Sequence, residues 1–473
     1  MGLDVARGLA VLGMAGAHMG STSELVWNDP TTWDALVHGR SAILFAVLAG
    51  VSVALMTGRT LVPAPADLPA VRLRLVGRAA AIFAIGLVLE LLGTGVAVIL
   101  TFYGVLFVVA IPFLRWSVRR LVVAAAVLAL LGPPLLSALR VLTMSSSGAG
   151  VDLVLFGTYP VTVWLTLLLA GLALGRLRVD TVRVAVVTTV VGVALAAVGY
   201  GAGALLQGTV DGAYGSSSDG SVSSSLGDAS SPADGSSSSG AGDASSSFGD
   251  LAVPGSDVDL DGLVCDVYDD DWVSCYPADE AVGSSSGPGA EEDWSWLDML
   301  RESDPLPTVL AETAAVSPHS GGVPEVLGSG GFALAVVGLC LLLARPLRWP
   351  LLPVAALGSM PLTAYAAHVV VILVLSGGPF GAVASNAAWG WTSLGLLAAS
   401  TLWALTLGRG PLERLVGRAA TAMAGTAGAR PAAPPVPARV PVPVPDGSAD
   451  GSADGSADGS AERSASAGSP REA

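Results

Sequence analysis

Four histidines are the residues best suited to acid–base chemistry in this chain of 473 residues. His18 ends the first long apolar segment, His38 begins the second, His319 precedes the eighth, and His368 lies well inside the ninth. An imidazole can remove or deliver a proton near neutral pH, or carry a transferred group as a nucleophile. The four histidines are therefore the first candidates for a reaction centre.

Each histidine also has a structural interpretation that the sequence leaves open. His18 and His38 could be interfacial side chains hydrogen-bonded to water, His319 could cap the following helix, and His368 could be a packing residue. No HxxxH, HExxH or CxxC spacing occurs, so the sequence gives no support for a metal site.

Other polar residues are predicted to lie at the same level as the histidines. They are Arg40, Glu90, Tyr103 and Glu325. An ionisable group at membrane depth is costly unless it is paired, so such groups are functional candidates by default.

Asp4 and Arg7 lie three residues apart and share one face of the first predicted helix. They could form a structural ion pair that steadies this helix. They could also form an anion site in which the aspartate orients a phosphate-binding arginine.

Apolar helices must position all of these residues. The chain is 52% hydrophobic and 13% charged, whereas about a quarter of the residues in a soluble globular protein are charged. Apolar runs of about 18 or more residues recur, and each can cross a hydrocarbon core roughly 30 Å thick. We therefore expect an all-α, polytopic membrane helix bundle of about ten transmembrane helices. The predicted spans are 3–20, 38–57, 76–94, 95–114, 117–138, 159–176, 182–206, 329–345, 351–376 and 388–408.

The arginines give an orientation, because they cluster in every second loop, as the positive-inside bias expects of cytoplasmic loops. Both termini are then cytoplasmic, the protein is a multi-pass protein of the plasma membrane, and the four histidines face outward. The first span resembles a signal peptide in its Ala15-Gly16-Ala17, but Asp4 near its start favours a retained span.

Two segments outside the spans are predicted to be disordered. Residues 207–328 form a long acidic extracytoplasmic insert rich in Ser, Gly and Asp, and residues 411–473 form a cytoplasmic tail with an acidic repeat. The insert separates seven spans within 1–206 from three spans within 329–410. The chain has no basic face, so no nucleic-acid partner is expected.

Two features of the insert are separate predictions. Cys265 and Cys275 could form a small disulfide loop if the segment lies outside the cytosol, or they could remain free thiols. Residues 291–302, EEDWSWLDMLRE, could form a short helix at the membrane interface.

Four stretches carry a resemblance to a known family. LDVARGLAVLGM at 3–14 and HGRSAILFAVLAGVSVAL at 38–55 resemble the catalytic domain of heparan-alpha-glucosaminide N-acetyltransferase and its bacterial relatives. The LDxxRG opening and the LAGVS end of the second span are the most specific parts. PHSGGVPEVLGSGG at 318–331 and GSMPLTAYAAH at 358–368 are similar to later motifs of the bacterial branch.

The resemblance implies a membrane-embedded acyltransferase. Such an enzyme takes acetyl-CoA from the cytosolic side and transfers the acetyl group to an amine or hydroxyl on the far side. A histidine in the loop between the first two spans is the expected catalytic residue. Here that role is assigned to His38 first and His18 second, although the animal enzymes carry their histidine near the positions of Asn28 and Asp29.

On this interpretation, Arg7 would meet the phosphates of the donor with Asp4 beside it, since a planar guanidinium suits phosphate. Arg40 or Tyr103 would donate a hydrogen bond to the developing oxyanion.

The remaining candidates would support the catalytic histidine or the acceptor. Glu90 or Glu325 would hold the second nitrogen of a histidine ring, His319 is a further catalytic candidate, and His368 would face the acceptor.

The expected partners are the lipid bilayer and a sugar or envelope glycan as acceptor, and a homodimer is one option for the oligomeric state. A second hypothesis is a proton-coupled transporter or exporter that uses the histidines and Glu90, although no internal repeat supports it. A third is a scaffold or sensor that displays the acidic insert.

Overall fold

A computed structural model describes residues 1–21, 32–33, 37–143, 148–157, 160–214, 263–269, 272–277 and 295–425. Apart from one β-hairpin, the regular structure in these ranges is helical. The helices are α1 (Gly2–Met19), α2 (Arg40–Met56), α3 (Leu68–Glu90), α4 (Ile99–Val109), α5 (Val118–Leu142), α6 (Val161–Gly175), α7 (Val182–Tyr214), α8 (Trp296–Glu302), α9 (Pro305–Ala314), α10 (Val323–Leu343), α11 (Leu352–Ser359), α12 (Pro361–Leu375), α13 (Asn386–Thr406) and α14 (Pro411–Gly425). Two short turns, Ile111–Arg115 and Ala149–Phe156, complete the helical structure.

The apolar helices identify a multi-pass membrane protein. Among the described residues, α5, α7 and α10 are long and apolar enough to cross a membrane. The bent pairs α11–α12 and α13–α14 bring the number to five if each pair is one span. Helices α2, α4 and α6 are apolar but shorter than the roughly 20 residues that a span usually needs. The expected count of about ten spans remains a prediction, although each predicted segment overlaps a helix.

The predicted ninth span, 351–376, is not one continuous helix. It breaks between α11 and α12, which meet at 91°. Pro361 follows the break, and a residue before proline is pushed out of the α conformation, as Met360 is with φ −131° and ψ 55°. His368 therefore lies only seven residues, or about 10 Å, into its helix, and not well inside one long continuous span.

Helices α2 and α6 pack closely because glycines face each other's backbones. A Cβ at Gly50 would collide with the carbonyl oxygen of Leu168, and a Cβ at Gly171 would collide with that of Val47. Small residues of this kind let membrane helices approach closely where no hydrophobic effect drives them together. Gly50 belongs to the LAGVS sequence, so the small-residue motif forms a helix–helix contact.

Helix α1 lies among five other helices, namely α2, α10, α11, α12 and α13. The most extensive contact between two helices is that of α7 with α10, and α14 packs along α3. Because α1 is central, residues at its two ends reach two different parts of the bundle.

The segment predicted as a disordered insert contains two helices and a β-hairpin among its described residues, as well as the end of α7. Helix α7 continues to Tyr214, and strands β1 (Leu263–Asp269) and β2 (Trp272–Pro277) form an antiparallel hairpin. The hairpin register sets Cys265 opposite Cys275, and their disulfide remains a prediction.

Helices α8 and α9 then precede α10, which starts at Val323 and not at 329. Helix α8 falls in the predicted interfacial stretch, and the Trp296 indole donates to the carbonyl of Leu142. An ion pair between Arg140 and Glu312 ties α9 to α5. These side-chain contacts connect residues 295–328 to the bundle. The prediction of disorder is therefore wrong for that stretch. Most of 215–294 and the tail from 426 lie outside the described residues.

Candidate active site

Three of the four histidines line one cavity of about 410 Å³, which we call the histidine cavity. His18 comes from the end of α1, His38 from the turn before α2, and His319 from the loop before α10. Its other walls include the start of α2, the α3–α4 loop, α12 and the α12–α13 loop. The structure thus brings three histidines that are far apart in the sequence to one cavity.

The fourth histidine, His368, lies directly behind His18. Its side chain is fully buried, with 0% exposure, and its Nε2 lies 3.1 Å from Nδ1 of His18. The two rings are stacked, with centroids 5.3 Å apart and planes 14° apart. Within the described residues, no group of three metal-ligating side chains has the arrangement of a metal site.

His38 is held by a tight turn at the start of α2. Gly39 has φ +64°, a left-handed conformation that glycine adopts without strain. The backbone N–H of Arg40 donates to the carbonyl of His38 at 2.6 Å. A Cβ at Gly39 would also lie 2.9 Å from Cβ of Pro318, so glycine is needed for both the turn and the contact with the next loop.

His319 lies beside this turn at the rim of the cavity. Loss of solvent around its ring, and then the proximity of His38, lower the pKa of His319 below its usual value. A lowered pKa keeps the imidazole neutral at neutral pH, and only a neutral imidazole can accept a proton.

Glu325 supports the histidine cavity through backbone contacts. Its carboxylate accepts hydrogen bonds from the backbone N–H groups of His319 and Gly321, both at 2.6 Å, and from the Ser320 hydroxyl at 3.1 Å. His319 and Gly321 both have positive φ, so the carboxylate stabilises a sharply turned loop. Glu325 is buried where these three donors bind it, and its predicted contact with a histidine ring nitrogen stays a prediction.

Arg40 contacts neighbouring helices. Its Nε donates to the Tyr200 hydroxyl at 2.9 Å, and that hydroxyl lies 2.9 Å from Oγ of Ser329. Arg40 is not among the described residues that line the histidine cavity. Its first role is therefore to join α2 to α7 and α10, and the prediction of a direct oxyanion contact gains no support.

Glu90 and Tyr103 also lie away from the histidines. Glu90 is exposed at the end of α3 and accepts a hydrogen bond from Thr101 at 2.8 Å. Tyr103 is buried and lines a second pocket. The structure therefore brings neither Glu90 nor Tyr103 into the histidine cavity.

This second region, the arginine pocket, consists of two adjoining cavities of about 290 and 460 Å³ that share Met56, Arg78 and Glu413. Its lining contains six arginines and one described carboxylate, that of Glu413. The arginines are Arg7, Arg74, Arg78, Arg409, Arg414 and Arg418. This excess of positive charge suits an anionic ligand.

Arg7 is placed in the pocket by both of the most specific motifs. Its Nη1 donates to Asp4 at 2.7 Å, and its Nη2 donates to Oγ of Ser52 at 3.0 Å. Asp4 and Arg7 belong to LDxxRG, and Ser52 ends LAGVS. The ion pair predicted from the i,i+3 spacing is present, and it orients a side chain that lines the pocket.

Arg78 and Glu413 were missed as site residues by the sequence reasoning. Nε of Arg78 is buried without a hydrogen-bond partner among the described residues. Glu413 accepts from the backbone N–H groups of Leu362 and Thr363 at 2.8 and 3.1 Å, and so anchors α14 at the start of α12. The i,i+4 spacing of Arg74 and Arg78 was a signal that could have identified them as neighbours on one side of α3.

The two regions are separated by about one turn of helix. On α2, Ala42 lines the histidine cavity and Phe45 lines the arginine pocket. On α12, Tyr365 lines the histidine cavity and Leu362 lines the arginine pocket. Three residues correspond to about 4.5 Å along a helix, so the barrier between the regions is thin.

The structure thus combines a membrane helix bundle with a histidine cavity and an arginine pocket that are lined in part by the same helices. The family model described as heparan-alpha-glucosaminide N-acetyltransferase, catalytic, matches residues 1–200. This match confirms the resemblance seen in the first two motifs, and it covers less than half of the chain. It includes His18, His38, Arg7 and Arg78, whereas His319 and His368 lie beyond it.

No curated protein and no solved structure matches the chain.

Proposed function

We propose that this protein is a transmembrane acyltransferase that moves an acetyl group from acetyl-CoA in the arginine pocket to an acceptor in the histidine cavity. The acceptor is an amine or hydroxyl of a sugar or envelope glycan. The observation that supports this proposal most is the short distance between the two regions. A thioester bound in the arginine pocket would need to move only a short way to reach a nucleophile in the histidine cavity.

The donor would bind through its phosphates. Six arginines against one described carboxylate favour a ligand with several negative charges, and the unpartnered Nε of Arg78 is a donor that such a ligand would satisfy. Arg7 is held in a fixed orientation by Asp4 and Ser52, which suits bidentate binding of phosphate. The positive-inside bias of the arginine-rich loops supports a cytoplasmic position for this pocket.

The acceptor would react in the histidine cavity. A neutral imidazole takes the proton of the acceptor O–H or N–H while the acceptor attacks the thioester carbonyl carbon. The C–S bond then breaks, and the leaving thiolate takes up the proton. His38 and His18 are the two cavity residues that the sequence ranked first and second for this role.

The direct test is binding and turnover of labelled acetyl-CoA by the purified protein in lipid nanodiscs. Arg78→Ala is compared with Arg72→Ala, because Arg72 is an exposed arginine of the same helix that lines neither part of the pocket. Arg78→Ala is expected to weaken acetyl-CoA binding about 10- to 100-fold, since a hydrogen bond to a charged group contributes about 1.5–3 kcal/mol. Arg72→Ala is expected to leave the affinity within about twofold, as exposed charges contribute little.

Two results would contradict the proposal. One is a wild-type protein that neither binds acetyl-CoA nor releases its labelled acetyl group. The other is accumulation of a labelled solute in proteoliposomes that depends on a pH gradient and needs no acyl donor, which would support the transporter hypothesis.

A further inference from the structure

A further cavity of about 460 Å³, which we call the apolar groove, lies between α5 and α7 and is separate from both regions described above. Helix α5 packs on α6, and α7 packs on α10, so the groove forms where these two helix pairs meet. Each helix contributes one face to it, as the helical spacing of Val118, Val122, Ala125 and Ala129 on α5 illustrates.

The lining of the apolar groove is suited to hydrocarbon. Apart from Thr166 and Thr188, the described residues that line it are aliphatic residues and glycines. Both threonine hydroxyls donate to the carbonyl four residues earlier in their own helix, at 2.9 and 2.7 Å. The groove therefore offers little to a polar ligand, whereas an apolar ligand would meet apolar side chains on every wall.

The apolar groove is elongated along the helices. Val118 and Ala129 both line it, and eleven residues correspond to about 16 Å along α5. Thr166 and Leu177 give the same length along α6. Val122 on the α5 wall is half-exposed, so the groove is accessible from outside the protein. An elongated, accessible and apolar groove in a membrane protein fits the acyl chain of a lipid.

Three exposed arginines lie near one end of the apolar groove. They are Arg119, Arg178 and Arg183, and each is within four residues of a residue that lines the groove. None of the three forms an ion pair with a carboxylate of the described residues. The nearby carboxylate of Asp180 is paired with Arg59 at 2.7 Å.

The two segments that carry these arginines are held together at this end. Arg119 lies at the start of α5, whereas Arg178 and Arg183 flank the turn between α6 and α7. Nη2 of Arg176, at the end of α6, donates to the carbonyl of Leu114, just before α5, at 2.7 Å. The three exposed arginines therefore form a basic rim at one end of the groove.

We propose that the apolar groove binds an anionic phospholipid, with an acyl chain between α5 and α7 and the head group at the basic rim. A basic site between membrane helices suits a negative head group, and the lining of the groove suits the chain. The positive-inside bias favours the cytoplasmic leaflet as the source of this lipid. The proposal does not rest on the acyltransferase function.

Native mass spectrometry of the purified full chain in detergent tests the proposal. The protein is titrated with phosphatidylglycerol, whose head group is negative, or with zwitterionic phosphatidylcholine that has the same oleoyl chains. We expect one retained phosphatidylglycerol, bound at least about tenfold more tightly than phosphatidylcholine, because each arginine near an anionic head group contributes about fivefold. Phosphatidylglycerol should also raise the unfolding temperature more than phosphatidylcholine does.

Two substitutions fill the apolar groove from opposite walls. Ala126→Phe on α5 and Val191→Phe on α7 enlarge exposed residues that line the groove. Val127→Phe and Val190→Phe are the matched controls, because they enlarge exposed neighbours that do not line it. Both groove variants are expected to lose the retained lipid, and both controls are expected to keep it. Agreement between the two walls excludes a folding defect that is peculiar to one variant.

Arg183→Gln tests the basic rim, with Arg72→Gln as its control, since Arg72 is an exposed arginine of α3 outside the groove. We expect Arg183→Gln to weaken phosphatidylglycerol binding about fivefold and to leave phosphatidylcholine binding unchanged. Arg72→Gln should leave the affinity for both lipids within about twofold of wild type.

Three results would overturn the proposal. One is equal affinity of the wild type for the two lipids, and another is lipid retention that Ala126→Phe and Val191→Phe leave unchanged. The third is a wild-type dimer that retains no lipid and dissociates in both groove variants, which would make the groove a subunit interface. Loss of the lipid in the groove variants, with loss of selectivity in Arg183→Gln, would support the proposal whether or not the protein turns over acetyl-CoA.

Discussion

The histidine cavity and the arginine pocket are built on the same helices but in different ways. The arginine pocket takes most of its charged residues from helix faces, where Asp4–Arg7 and Arg74–Arg78 keep helical spacing. The histidine cavity takes His38 and His319 from turns and His18 from a helix end. The first can therefore be recognised from local spacing, whereas the second depends on how distant segments of the chain meet.

The two regions also differ in how their charge is balanced. In the arginine pocket, cations outnumber the single described carboxylate, so the pocket is prepared for an anion. In the histidine cavity, the nearby carboxylate of Glu325 is occupied by the loop backbone, and the cavity presents the rings of three histidines. One region is suited to binding and the other to proton transfer, and variants should separate these two properties.

The largest expected effect is that of His18→Ala. We expect the rate of acetyl transfer to fall by about 10²- to 10⁴-fold, the usual contribution of a general base. Acetyl-CoA binding, measured by isothermal titration calorimetry, should not change, because His18 does not line the arginine pocket. His38→Ala serves as the comparison. A transfer rate that falls in only one of the two variants would identify the base as the residue replaced in that variant.

Gly50→Val should affect both regions together, since α2 forms a wall of each. A side chain at Gly50 meets the carbonyl of Leu168, and overpacking of this kind costs about 1–3 kcal/mol. Thermal unfolding in detergent should therefore begin at a lower temperature, with parallel losses of acetyl-CoA binding and transfer. Gly395→Val on α13 is the matched control, because a Cβ there meets no atom within 4 Å. Equal stability of the two variants would show that the close contact of α2 with α6 is unimportant.

Glu90→Gln should have the smallest effect. The carboxylate lies outside both regions, and its hydrogen bond comes from Thr101, to which a glutamine oxygen can also be an acceptor. Transfer rate and acetyl-CoA affinity are expected to stay within about twofold of wild type, as for exposed side chains in general. A large loss of transfer would restore Glu90 as a partner of the histidines.

The sequence alone predicted the helical membrane class, the segments that form the helices, the Asp4–Arg7 pair and the four histidines as a group. These follow from properties of consecutive residues: long apolar runs favour helices in lipid, and residues three apart share a helix face. The N-terminal motifs also predicted the family that matches residues 1–200.

Only the tertiary structure decided which polar residues meet. It paired His18 with His368 across 350 positions, turned Glu325 toward backbone donors, and placed Tyr103 in the arginine pocket. It also bent the ninth segment at Pro361, which changed the depth of His368. Depth along a helix can be counted from the sequence, but the direction of a side chain depends on the rotation of that helix against its neighbours, which packing of the whole bundle sets.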